Sequence, residues 1–171
     1  MNFLQFVPTA AGYLAILILI ASLPFRSKAI QKTLGNCLEP MRRGRTLKIY
    51  AMMALCLLVN SLPLIRSQTL LTSCIFSAVA VLGEDIAIRN LLVLKNGGLY
   101  QNGFFLQYPF VLFENILSVP ALNWEDVNLY EKFDFQVILK ENSSINLIFQ
   151  NTWEAQMIIG SIKEKCPEIQ R

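Results

Sequence analysis

The side chains in this sequence that are best suited to chemistry are two adjacent carboxylates and a nearby arginine. Glu84 and Asp85 follow an apolar run, and Arg89 comes four residues after Asp85. On a helix, an arginine four or five residues away can pair with one of these carboxylates. Such a group would suit an enzyme that acts at the bilayer, but it is also typical of the interfacial end of a membrane span. The second interpretation is favoured, and no catalytic residue is predicted.

A second group of acidic residues lies between residues 124 and 134, where the chemistry to consider is calcium binding. Its members are Glu125, Asp126, Glu131 and Asp134. Their spacing does not match the oxygen ligands of an EF-hand loop, and no glycine supplies the central turn of such a loop. We therefore predict a solvated loop here, and no metal site or cofactor-binding residue in the chain.

The absence of histidine narrows the remaining chemistry. Histidine-based acid–base catalysis, Ser-His and Cys-His nucleophile pairs and most zinc sites depend on that residue. The four cysteines form no C-x-x-C pair, and two of them, Cys56 and Cys74, lie within apolar runs. A free cysteine in such surroundings behaves as a small hydrophobic residue. The chain is therefore predicted to be non-enzymatic and to lack a disulfide framework.

Residues 26–48 form a basic segment between two apolar runs. They carry seven cations and one acid, whereas residues 91–171 carry six cations and nine acids. We predict that 26–48 is a loop that determines membrane topology, and the alternative is that it also contacts anionic lipid headgroups. Nucleic acid is not a predicted partner, because the segment lacks interleaved aromatic residues that stack on bases. The residues predicted to contact lipid headgroups are Arg42, Arg43, Arg45 and Lys48.

The apolar composition of the first half predicts a transmembrane region over residues 1–88. Residues 3–25 contain no charged side chain, and about 20 such residues cross a bilayer as a helix. A cleaved signal peptide would carry its cations before this run, whereas here they begin at Arg26. Residues 49–65 and 67–86 are predicted to form a helical hairpin of two further spans. The alternative is one span at 49–65 followed by a helix in the interface.

The distribution of cations also predicts the orientation of the chain in the cell membrane. Lysine and arginine near spans remain on the cytoplasmic side, which places the segment 26–48 inside and the N-terminus outside. Three spans then place the C-terminal domain in the cytoplasm, whereas two spans place it outside. We predict the multi-pass arrangement with three spans.

Residues 89–171 are predicted to form a small α+β domain, with strands over about 91–150. The stretch 91–113 is predicted to be a hairpin around Gln101-Asn102-Gly103, because Asn-Gly between apolar runs favours a two-residue turn. Alternating apolar residues at 133–139 and 145–149 predict a second hairpin with one buried face. Asn151 and Glu154 have the spacing of a capping box, which predicts a helix over about 152–165. Its apolar stripe is Trp153, Met157, Ile158 and Ile162.

Residues 97–116 carry a distinctive series of glycine, asparagine and aromatic residues. G-G-L-Y-Q-N-G is followed by F-F and then by F-V-L-F-E-N-I. This series resembles small bacterial membrane proteins of unknown function that have N-terminal transmembrane helices and a C-terminal PH-like domain. Phe113 stands where that group often has tryptophan. The resemblance implies an antiparallel PH-like sheet with one C-terminal helix, shorter than a complete seven-stranded barrel, and it implies no activity.

Together these features predict a scaffold or accessory protein that presents an interaction domain at the membrane surface. The first hairpin, 99–107, carries no lysine or arginine, which disfavours phosphoinositide binding and favours an unidentified protein partner. The alternatives are a membrane-associated enzyme and a small transporter or channel subunit. A transporter usually needs an ionisable residue in mid-membrane, and the strongly polar residue within the predicted spans is Asn60.

Overall fold

The computed structural model of this protein describes residues 3–41, 46–65, 69–120, 134–141 and 143–170. The chain divides into two compact units, one made of residues 1–29 and 43–95 and the other of residues 30–42 and 96–171. The chain therefore passes between the units three times. The second unit includes a segment that precedes two of the helices of the first.

Three helices are described in the first unit, and each is long and apolar enough to cross a membrane. They are α1, Phe3–Leu34; α2, Thr46–Ile65; and α3, Leu70–Asn96. The end of α1 and the last residue of α3 belong to the second unit. Even α2, with 20 residues, reaches about 30 Å, the thickness of the hydrocarbon core of a bilayer. The predicted membrane region is confirmed to this extent.

The outward faces of these helices carry large apolar side chains. Soluble proteins seldom expose extensive apolar surface, so such faces suit contact with lipid. The exposed fraction is between 61% and 81% at Leu14, Leu17, Leu47, Ile65, Leu71 and Leu82.

The inward face of α3 is defined by buried residues that recur at alternating intervals of four and three. They are mostly small or polar, which allows neighbouring helices to approach closely. Near the end of this series, Ala87 and Leu91 pack with Ile49 of α2. The series is Ser73, Ser77, Ala80, Glu84, Ala87 and Leu91.

The prediction that residues 26–48 form a loop is wrong. α1 continues to Leu34, a strand β1 occupies Cys37–Pro40, and α2 begins at Thr46. Ile30 and Leu34 are buried one helical turn apart, so the apolar face of α1 continues past the first cations.

The prediction that strands begin near residue 91 is also wrong, because α3 continues to Asn96. Ile88 and Leu92 are buried one turn apart, as are Ala87 and Leu91. A short, continuous apolar run fits a buried helix and a buried strand equally well, and here the helix forms. The predicted boundary between residues 88 and 89 therefore falls inside α3.

The described C-terminal residues of the second unit form antiparallel strands followed by a helix, which confirms the coarse prediction for the C-terminal domain. The first sheet has the order β1-β2-β3-β4, with β2 at Gly98–Tyr100, β3 at Gly103–Phe105 and β4 at Val111–Leu112. The second sheet has the order β5-β6-β7, with β5 at Ile116–Ser118, β6 at Asp134–Leu139 and β7 at Ser144–Ile148. The helix α4 is Thr152–Lys165.

The first predicted hairpin forms, but its turn differs by one residue from the predicted turn. β2 ends at Tyr100 and β3 begins at Gly103, so the turn residues are Gln101 and Asn102. Gly103 lies in the strand, where a Cβ atom would overlap the backbone oxygen of Val111. This glycine is therefore required for close strand packing and not for the turn.

The core of the second unit joins residues of both sheets to α4. Phe104, Val137, Leu147, Ile158 and Ile162 belong to one buried cluster. Three residues of the predicted stripe of α4 pack as expected, since Ile158 and Ile162 are buried and Met157 lies against the cluster. Trp153 does not, because it is 48% exposed, and the other buried positions of α4 are Glu154, Ala155 and Ile159.

The predicted capping box at the start of α4 is present. Asn151 Oδ1 accepts a hydrogen bond from the backbone N–H of Glu154 over 2.8 Å. Glu154 Oε2 accepts from the backbone N–H of Gln150 over 3.0 Å. The two side chains together satisfy donors at the amino end of the helix.

Candidate functional site

The residues predicted to contact lipid headgroups are described only in part. Arg42, Arg43 and Arg45 lie outside the described residues. Lys48 lies in the first turn of α2 and is exposed. Of the predicted acidic loop, Glu125, Asp126 and Glu131 also lie outside the described residues. No group of three or more histidine, cysteine or acidic residues in the described ranges could hold a metal ion.

Within the first unit, which contains most of α1, α2 and α3, several polar side chains are buried between the helices. Asn60 of α2 donates a hydrogen bond from Nδ2 to the backbone oxygen of Thr9 in α1, over 3.1 Å. Gly12, one turn after Thr9, leaves room for this amide, since a Cβ atom there would overlap Asn60 Oδ1. Asn60 is fully buried, so this contact joins two helices inside the span.

Glu84 is the most unusual of the buried polar residues. It lies fourteen residues after Leu70 and twelve before Asn96, so it occupies the middle of α3. Its side chain is 0% exposed, and neither carboxyl oxygen has a hydrogen-bond partner among the described residues. The sequence placed Glu84 near the interfacial end of a span, and in the structure α3 continues for twelve residues beyond it.

The adjacent carboxylate, Asp85, is in the opposite situation. Arg26 Nη1 of α1 lies 3.1 Å from Asp85 Oδ1. Arg89 Nη2 lies 2.6 Å from Asp85 Oδ2, which confirms the predicted pairing of neighbouring helical residues. One carboxylate thus engages two guanidinium groups, whereas Glu84 engages neither through a described contact.

The domain presents a surface cavity of about 560 Å³ where β5, the residue after β6 and the end of α4 meet. It is lined by both signs of charge, with Lys140 and Lys165 beside Glu114 and Glu168. Cys166 lies at its wall, and burial raises the pKa of this thiol although Lys140 acts in the opposite direction. A thiol of this kind is a poor nucleophile near neutral pH, because the reactive form is the thiolate.

A second thiol lies beside a buried tyrosine in the first sheet. Cys37 of β1 is the register partner of Tyr100 in β2. Burial, followed by the charge of Glu39, raises the pKa of the Cys37 thiol. Burial also raises the pKa of Tyr100 to about 12, with Cys37 contributing. Neither group is activated for nucleophilic chemistry.

Sequence reasoning did not predict that the Glu84 side chain is buried, although a signal was present. Glu84 falls on the same helical face as Ser77, Ala80, Ala87 and Leu91, and that spacing continues beyond residue 86, where the predicted span ended. The alternating intervals of four and three residues would have predicted that the Glu84 carboxyl is buried against the neighbouring helices.

The described residues therefore bring together a buried, unpartnered carboxyl and a neighbouring ion-pair network. Comparison with protein-family models, with curated proteins and with solved structures found no match for this chain.

Proposed function

We propose that this chain is a multi-pass protein of the cell membrane that presents a small PH-like interaction domain at the cytoplasmic surface. Its role is that of a non-enzymatic scaffold or accessory protein. The observation that supports this most strongly is the antiparallel pairing of β1 with β2, which includes Glu39 opposite Leu99 and Pro40 opposite Gly98.

This strand pairing supports the arrangement with three spans. β1 lies between α1 and α2 in the chain, and β2 follows α3. Paired strands must lie on the same side of a membrane, so the chain crosses an even number of times between them. Both α2 and α3 then span, whereas one span followed by an interfacial helix would separate β1 from β2.

The charge distribution supports a position of the paired strands β1 and β2 on the cytoplasmic side of the membrane. Residues 26–48 carry seven cations and one acid, and short segments rich in lysine and arginine stay inside. The N-terminus is then outside. Anionic lipid headgroups are proposed partners of Arg42, Arg43, Arg45 and Lys48 at that surface.

The strand arrangement supports a PH-like domain related to those of small bacterial membrane proteins. The described residues of the second unit contain sheets of four and three antiparallel strands, followed by α4. Seven strands and a terminal helix are the parts of a PH-like barrel. Residues 89–171 contribute six of the described strands, and β1 is the seventh. The first strand therefore comes from the segment between two helices.

A protein partner is favoured by apolar side chains on the outside of the domain. Ile148 at the end of β7 is 61% exposed, and Trp153 in the first turn of α4 is 48% exposed. Exposed tryptophan is enriched in the energetically dominant parts of protein interfaces. The turn and strands of the first hairpin offer no cation to a phosphate group, since 99–107 contains neither lysine nor arginine.

Site-directed photo-crosslinking in living cells tests this proposal. A photoreactive amino acid is placed at Trp153, at Ile148, or at the control position Glu164, an exposed polar residue about 16 Å from Trp153 along α4. We expect one discrete protein adduct from Trp153 or Ile148 and none from Glu164. Absence of any protein adduct at both apolar positions would contradict an interaction role for this surface.

A further inference from the structure

The carboxyl group of Glu84 lies inside the helical unit without a partner among the described residues. Its side chain is 0% exposed, and both Oε1 and Oε2 are buried. The preceding residue, Gly83, lies against Cys56 of α2, since a Cβ atom at Gly83 would come within 2.8 Å of Cys56 Sγ. Glu84 therefore occupies a closely packed layer between α2 and α3.

The titratable groups near Glu84 are a thiol and two arginines, and the arginines bind another carboxylate. From α2, the titratable group that faces Glu84 is the thiol of Cys56. From α1, Arg26 is bound to Asp85 over 3.1 Å. On α3 itself, Arg89 is bound to the same carboxylate. The described residues therefore include no cation in contact with the Glu84 carboxyl.

An ionised carboxylate in this environment would be strongly destabilising. Transfer of an isolated carboxylate to an apolar interior carries a penalty of at least several kcal/mol, even after relaxation of the surroundings. A neutral carboxyl carries a much smaller penalty. The packing of α2 against α3 at Cys56 and Gly83 is thus the packing of the protonated side chain.

We propose that Glu84 is a proton-binding site within the membrane-spanning helices, and that release of its proton separates α2 from α3 at the Cys56 layer. The step converts the carboxyl group to a carboxylate and a free proton, with no other bond formed or broken. This inference is independent of the role of the C-terminal domain.

The neighbouring ion pairs supply a reason for the helices to rearrange. Arg26 and Arg89 carry two positive charges, and Asp85 carries one negative charge, so this group has a net charge of +1 when Glu84 is neutral. An ionised Glu84 would balance that charge. The carboxylate would reach that balance by contact with one of these arginines, and the described packing contains no such contact.

Carbodiimide labelling of the full-length protein in lipid vesicles tests proton binding. Dicyclohexylcarbodiimide is apolar and adds to protonated carboxyl groups, so the adduct at Glu84 is measured by mass spectrometry from mildly acidic to mildly alkaline buffer. We expect labelling of Glu84 in acid that falls as the pH rises, and no labelling at this position in Glu84→Gln. No adduct at any pH, or an adduct that does not depend on pH, would overturn the proposal.

The same labelling distinguishes a proton from another cation. The measurement is repeated at fixed pH with sodium replaced by choline. We expect no change, because the proposed ligand is the proton. Protection by sodium alone would assign the carboxyl to a metal cation and overturn proton binding.

Alkylation of Cys56 tests the separation of the helices. Cys37, Cys74 and Cys166 are replaced by serine, so that Cys56 is the remaining thiol. The rate at which a membrane-permeant maleimide alkylates Cys56 is then measured in the protein that retains Glu84 and in the Glu84→Gln variant. A carboxylate at Glu84 disfavours the neighbouring thiolate of Cys56, so a faster rate in the protein with Glu84 than in Glu84→Gln cannot come from thiol ionisation. We expect the ratio of the two rates to reach about tenfold in alkaline buffer, which corresponds to about 1.4 kcal/mol. Equal rates over the whole pH range would contradict the coupled separation.

Discussion

The side-chain amide of Asn102 donates a hydrogen bond from Nδ2 to the backbone oxygen of Thr33, over 3.2 Å. The backbone N–H of Asn102 binds the oxygen of Leu34 over 3.0 Å. Gly35, with φ of 80°, ends the helix in the left-handed conformation that glycine adopts readily. The last carbonyl groups of a helix lack partners within it, so the first hairpin of the domain caps the carboxyl end of α1.

Replacement of Asn102 by alanine is expected to weaken this end of α1. The change removes one side-chain hydrogen bond, whose contribution is about 1 kcal/mol. Amide hydrogen exchange near Gly35 should therefore become about fivefold faster. Asn115→Ala serves as the control, because its side chain is also exposed and its backbone oxygen still accepts from Lys140. Equal exchange in the two variants would contradict a capping role for Asn102.

The contact between Gly12 and Asn60 is expected to limit the size of residue 12. Gly12→Ala places a Cβ atom against Asn60 Oδ1, and overpacking of this kind typically destabilises by about 1–3 kcal/mol. The loss should be smaller in an Asn60→Ala background, where the obstructing atom is absent. Thermal unfolding of the four proteins of this cycle in detergent measures the coupling.

Gly160→Ala provides the matched control for that cycle. No atom lies within 4 Å of a Cβ at Gly160, which is in α4. Alanine is favoured over glycine in a helix by up to about 1 kcal/mol, so this variant should retain or gain stability. Additive effects of Gly12→Ala and Asn60→Ala would argue against the steric contact.

Asn151→Ala is expected to destabilise the start of α4. The variant loses the hydrogen bond that the backbone N–H of Glu154 donates to Asn151 Oδ1, and loss of an N-cap side chain costs about 1 kcal/mol. Hydrogen exchange of the first amides of α4 should accelerate, while exchange in β6 stays unchanged. Asn151→Ser, which can still cap, should restore most of the protection. A failure of serine to do so would contradict the capping explanation.

Tyr100 is expected to titrate above the ordinary range of a tyrosine. Burial raises its pKa to about 12 from an ordinary value of 10.0. Its hydroxyl also donates to the backbone oxygen of Asn96 over 2.6 Å. Because the pKa is raised on folding, the stabilisation is complete below pH 10.0 and is lost as the pH rises through about 12.

Tyrosinate absorbance measures this directly. The difference between the titration curves of the protein and of Tyr100→Phe should be a single step near pH 12. Unfolding should also become less dependent on alkaline pH in the variant. A difference step near the ordinary tyrosine pKa would show that the hydroxyl is not buried as described.

Local patterns were sufficient to predict the second hairpin and α4. Alternation between 133 and 149 marks one buried face of a sheet, and Asn151 with Glu154 marks the start of a helix, so each signal lies within a few residues of the structure that it specifies. The burial of Glu84 was not predicted for a different reason. A charged residue after an apolar run usually faces water, whereas here the packing of α3 against α2 buries it.

β1 could not be predicted from its own residues. Cys37-Leu38-Glu39-Pro40 shows no alternation, and its strand conformation depends on pairing with Gly98–Tyr100, about 60 positions later. Pairing of this kind depends on tertiary contacts, which local propensity does not encode. The contribution of the segment before α2 to the domain was therefore visible only in the structure.

The most direct test of the proposed arrangement is a labelling measurement that determines on which side of the membrane two positions lie. In a cysteine-free background, Gln68→Cys between α2 and α3 and Gln156→Cys in α4 are each treated with a membrane-impermeant maleimide in right-side-out vesicles. We expect Gln68→Cys to react in intact vesicles, and Gln156→Cys to react only after they are opened. Reaction of both positions in intact vesicles, or of Gln156→Cys alone, would contradict the three-span anchor and the cytoplasmic domain.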